Sequence, residues 1–86
     1  MAGFDEDRAA MSAAHDKATQ ALGPLQEAHT HVEEARAMLL GITESSAQAA
    51  AHDALALFSR AMEEIVVVQQ TVSAGVATSE GVSANL

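Results

Sequence analysis

"LLGITESSAQ", residues 39–48, decides the fold. Strong helix formers flank it on both sides, so it either joins two long helices or bends one. Its local grammar favours a junction. Gly41 suits the left-handed C′ position that ends a helix. Ser45 with Gln48 fits the S-x-x-Q capping box that opens the next one, and Glu44 adds favourable charge at that N-terminus. A turn is therefore expected over residues 41–45, with Gly41 and Ser45 as its marker positions.

Upstream of the turn, Phe4, Met11, Ala18, Leu25, Val32 and Leu39 recur every seven residues. Three residues beyond each runs a second column: Asp7, Ala14, Ala21, Ala28, Ala35 and Ile42. The two columns read as the a and d rows of a heptad seam, one mostly bulky and the other mostly alanine. Alanine in one row lets a partner helix approach closely. Asp5, Glu6 and Asp7 suit the positive end of the helix dipole. Gly23-Pro24 interrupts the helix. A proline inside a helix removes a hydrogen bond and kinks the chain, at a cost of about 3 kcal/mol, although it also fits the first turn of a separate helix. Ala18 and Leu25 keep heptad step across it, which favours a kink. The first helix is expected over about 5–40.

Downstream, Ala51, Leu55, Phe58, Met62, Ile65, Gln69, Val72 and Val76 alternate at spacings of four and three. A flanking column of Ala47, Ala54, Ala61 and Val68 widens that stripe. "EIVVVQQTV" has high strand propensity, but no second strand is available to pair with it and the helical period runs through. A helix is expected over about 46–74. Gly75, Gly81 and small polar residues leave 75–86 as either a tail or an extension of that helix.

The pattern predicts an all-α protein: a single domain, 1–86, formed by an antiparallel two-helix hairpin. At about 1.5 Å per residue, an arm of roughly 36 residues is about 54 Å long. Two helices and one seam leave apolar side chains uncovered, chiefly Leu22, Leu40, Leu57 and Val66 to Val68. With no cysteine to form a disulfide, the common remedy is self-association into a four-helix bundle or a larger assembly. The expected interface uses Met11, Ala14, Ala18, Ala21, Leu25, Ala28, Val32, Ala35 and Leu39 from the first helix. From the second it uses Leu55, Phe58, Met62, Ile65, Val68 and Val72.

The formal charge is −8, from 12 acidic and 4 basic residues. Such a surface repels phosphate backbones and anionic lipid, so nucleic-acid and membrane-surface binding are disfavoured. The longest strongly apolar run, Ile65 to Val68, is too short to span a bilayer. "MAGFDEDRAA" lacks the basic and apolar regions of a Sec signal peptide. The expected location is cytoplasmic, or exported without a cleavable signal peptide.

Histidines 15, 29, 31 and 52 are the obvious candidates for chemistry. His15 and His29 share a column with Arg8, Leu22 and Arg36, which reads as a polar border beside the seam. A sharper reading gathers Glu27, His31, Glu34 and His52 at one height across the hairpin, where N and O ligands suit zinc. Helical surfaces rich in Glu produce such groupings by chance, so no metal or other cofactor is expected. The Glu-x-x-His pair of ferritin-like centres is absent, as are phosphate loops and nucleophile elbows. The protein is expected not to be an enzyme.

In size and hairpin shape the chain resembles the Esx-like W-x-G proteins of type VII secretion. Gly41-Ile42-Thr43 stands at the family's turn, without its Trp. Val76-Ala77-Thr78-Ser79-Glu80 stands where the family carries an aromatic-x-x-x-acid signal, with the acid present and valine in the aromatic place. That resemblance implies a dimeric four-helix bundle and export, with a homologous hairpin as possible partner. Leu22-Gly23-Pro24-Leu25 and Gln69-Gln70-Thr71-Val72 also resemble short alanine-rich helical proteins of actinobacteria, a likeness that implies no activity. The leading expectation is a non-enzymatic structural or interaction protein that self-assembles into an oligomer or filament. The alternatives are an Esx-like substrate or partner module, and a ferritin-like or other metal-binding helical protein.

Overall fold

The computed structural model describes residues 3–45 and 49–85. Three helices follow one another: α1 (Gly3–Gln20), α2 (Leu22–Ser45) and α3 (Ala49–Ala84). No strand occurs among the described residues. The helices α1 and α2 form one bent arm, and α3 packs along both of them.

The bend sits at Ala21. Its N–H donates to the Ala18 carbonyl at 3.1 Å, a tightened last turn of α1, and its own carbonyl accepts from Leu25 N–H at 3.2 Å. Pro24 is the cause. It has no N–H to offer the Gln20 carbonyl one turn back, so the ladder skips a rung there. Heptad step survives the bend, because Ala18, Leu22 and Leu25 are all half-buried on one side.

Two cross-arm hydrogen bonds fix the antiparallel register. Gln69 Nε2 donates to Gln26 Oε1 at 3.2 Å, and Arg36 Nε donates to Ser59 Oγ at 2.8 Å. The result is a rod of 69 × 15 × 13 Å with a radius of gyration of 19.6 Å. A globular chain of this length would have a radius near 12 Å, by the usual size scaling.

Two boundary expectations change. The helix does not stop at Gly41: α2 runs on to Ser45, and no described glycine has a positive φ. Gly41 is thus an ordinary helical residue, with no left-handed cap. Ser45 closes α2 rather than opening α3, and Gln48, the other half of the expected capping box, lies outside the described residues. Of the two readings left open for residues 75–86, helix extension holds over 75–84. Tertiary contact outweighs the two glycines there: Val76 and Ser79 are half-buried, and both share a groove with His15 and Ala18 of α1.

Candidate interaction surface

The seam on α3 has the predicted phase. Ala51, Leu55, Phe58, Met62, Ile65, Gln69, Val72 and Val76 are all half-buried. On the facing arm Met11, Ala18, Leu25, Val32 and Leu39 are half-buried as expected, but the row that accompanies them is different. It is the column four residues on, not three: His15, Leu22 and His29 turn inward, while Ala14 and Ala21 are exposed. Leu22, expected outside, is therefore a seam residue. Burial explains the choice. Each methylene removed from water contributes about 0.8 kcal/mol, so enclosing a leucine and two imidazole rings outweighs enclosing alanine methyls. Ala28 and Ala35 are half-buried at the shoulder of the seam.

The displaced alanine column becomes one flank of the rod. In an antiparallel pair the shoulders of the two helices meet side by side. The polar contacts Gln26–Gln69 and Arg36–Ser59 lie on one flank. On the other, Ala14 and Ala18 of α1 and Val72, Gly75 and Val76 of α3 line a single open groove. That flank continues along α3 through Ala54, Ala61 and Val68, and along α2 through Ala28 and Ala35. Among the described carboxylates, only Asp7 and Glu64 fall on its columns. The remaining described acids lie on the opposite flank or on the backs of the helices.

No described residue is fully buried. Leu57, Val67, Val68, Val82 and Met38 are between 45% and 74% exposed. Four of them, Met38, Leu57, Val68 and Val82, project on the alanine-lined flank; Val67 is on the back of α3. Two further shallow surfaces follow α3. One lies between Arg60, Glu63, Glu64, Val67 and Val68, and the other between His29, Ser59, Met62, Glu63 and Val66. The first is bordered by the ion pair from Arg60 Nε to Glu64 Oε1 at 2.9 Å.

The histidines divide into two kinds. His29 is half-buried, with Nδ1 3.9 Å from Glu33 Oε2. The Nε2 atom of His15 is enclosed and has no hydrogen-bond partner. His31 is exposed and lies 3.8 Å from Glu34. The chance grouping of Glu27, His31, Glu34 and His52 that the sequence allowed does not form: no three His, Asp or Glu side chains converge as metal ligands among the described residues. Glu27 and Glu34 lie on the back of α2, away from the arm that carries His52.

No described helix is long and apolar enough to cross a membrane. The fold and its surface define an all-α rod with one apolar flank and one polar flank. Comparison with family models, curated proteins and solved structures finds no match to this chain.

Proposed function

We propose that the protein is a non-enzymatic structural component whose rods associate through their apolar flank. The observation that carries this reading is the surface area. The chain exposes 6037 Å² at a mass of 8.9 kDa. A folded monomer of that mass typically exposes about 4,800 Å². The surplus is about 1,200 Å² per chain, and the exposed surface includes the large apolar side chains of Met38, Leu57, Val68 and Val82. A chain with no completely buried side chain among its described residues has little to hold it together alone.

The grooves described along this surface are shallow and open, whereas sites that support catalysis are usually concave clefts with a few convergent polar groups. Sedimentation of the purified protein across micromolar concentrations tests the reading. The expected result is an assembly larger than 8.9 kDa that dissociates on dilution with loss of helix signal. A stable, fully helical monomer at all concentrations would overturn it.

A further inference from the structure

Resting on that reading, we infer that the partner is a second copy of this chain, docked flank to flank with the two hairpins pointing in opposite directions. The product is a closed four-helix bundle with a two-fold axis near Val68. Three features converge on this arrangement.

The first is area. A surplus of about 1,200 Å² on each chain corresponds to about 2,400 Å² for a pair. That lies within the roughly 2,000–5,000 Å² of obligate homodimers and above crystal-contact size. A small peptide partner would leave much of the flank uncovered.

The second is charge. Two copies each carrying −8 repel one another unless their acids are kept apart. Among the described carboxylates the flank carries only Asp7 and Glu64, and Glu64, the one near the dyad, is paired with Arg60 Nε at 2.9 Å. A strongly basic partner would instead call for acids on the docking face.

The third is shape. The flank is bulky near the α2–α3 junction, where Met38 and Leu57 are 74% and 62% exposed. It is hollow near the open end, where Ala14 and Gly75 border the groove, and a Cβ on Gly75 would meet nothing within 4 Å. A surface with a knob at one end and a hollow at the other is complementary to itself when one copy is reversed. An isologous contact of that kind closes on itself, whereas a heterologous one propagates. On α3, Leu57 and Gly75 lie about 27 Å apart at 1.5 Å per residue. Their midpoint falls at Val66, which is also the middle of Ala49–Ala84. Reversing the partner about that level places its Leu57 over Gly75 and sets the two Val68 side chains close together.

The chain has no cysteine, so thiols introduced one at a time report this geometry directly. With a short bifunctional thiol cross-linker, Val68→Cys is expected to give a covalent dimer. Leu57→Cys alone stays uncross-linked, because its two copies lie about 27 Å apart, while Leu57→Cys/Gly75→Cys gives a covalent dimer. Ala13→Cys, on the back of α1, stays uncross-linked and controls for collision. Sedimentation of the unsubstituted chain separates the failures. A monomer there overturns both the self-association and this arrangement. A dimer in which Leu57→Cys cross-links to itself, or a ladder of higher multimers from the double variant, overturns the reversed closed dimer and leaves self-association standing. Folding of each variant is read from its helix signal, and a variant that loses it is replaced by Glu64→Cys for the dyad or Val82→Cys with Ala54→Cys for the end-to-end pair.

Discussion

Ala14 of α1 and Gly75 of α3 line the same groove from opposite arms and opposite ends of the sequence. Neither fills it. Between them stands His15, whose Nε2 is enclosed without a hydrogen-bond partner. The open end of the rod therefore carries an uncompensated polar atom beside small side chains.

Replacing that atom is expected to stabilise the fold. An enclosed polar group without a partner costs about 1–3 kcal/mol, and leucine occupies a seam position without it. His15→Leu should raise the urea midpoint at unchanged slope. His29→Leu should gain less, because Glu33 lies within 3.9 Å of its Nδ1 and that electrostatic contact is lost. Equal gains from both substitutions would show that the enclosed atom is not the source.

Gly41 gives a test of where the first arm ends. It lies inside α2, its φ is not positive, and a Cβ there meets nothing within 4 Å. Gly41→Ala should then stabilise by about 1 kcal/mol, the helix-interior difference between the two residues. The left-handed cap expected from the sequence predicts the opposite sign, since alanine is strained at positive φ. Thermal melting of the two proteins decides between them.

Phe58 and Phe4 are the aromatic residues of the chain, and they occupy contrasting sites. Phe58 is half-buried in the seam, while Phe4 is 55% exposed. Phe58→Ala should cost about 2 kcal/mol, below the 3–5 kcal/mol of a fully enclosed phenylalanine. Phe4→Ala should stay within about 0.5 kcal/mol. Denaturant titrations of both variants at one protein concentration provide the comparison.

Zinc or iron added in several-fold excess should leave the melting temperature unchanged. A ligand that binds only the folded state raises stability in proportion to the logarithm of its saturation, and no set of three donors converges among the described residues. A shift that His31→Ala abolishes would restore the metal-site reading.

The second arm was legible in the sequence because one period fitted it. Leu55, Phe58, Met62, Ile65 and Val72 are the large apolar residues at those spacings, and the stripe has no rival of comparable size. The first arm offered two. From Met11, a step of three reaches Ala14 and a step of four reaches His15, and both repeats continue for several heptads. Hydropathy alone favours the alanines. The structure selects the histidine column because Leu22 belongs to it, and because alternating steps of four and three from Met11 through Val32 mirror those on α3. That symmetry between the arms was the available signal. The junction was misread for a related reason. Gly41 and Ser45 carry genuine stop and start preferences of about 1 kcal/mol each, and the packing of α2 beside α3 outweighs them. For residues 75–84, left open in the sequence between tail and helix, the contact with α1 decides for helix over the glycines.

The 15 × 13 Å cross-section has a mechanical consequence. A rod only two helices thick has no interior in the ordinary sense, and each level of side chains touches only the levels above and below it. Strain introduced at one level cannot spread sideways, so it can travel only along the long axis, as in a zipper. One end is closed by the covalent link between α2 and α3. Separation of the arms therefore begins at the other end, where Phe4 and Val82 are already more than half exposed. Amide exchange along α3 should accordingly quicken from its middle toward Ala84, giving a gradient where a globular domain of the same size would give a plateau.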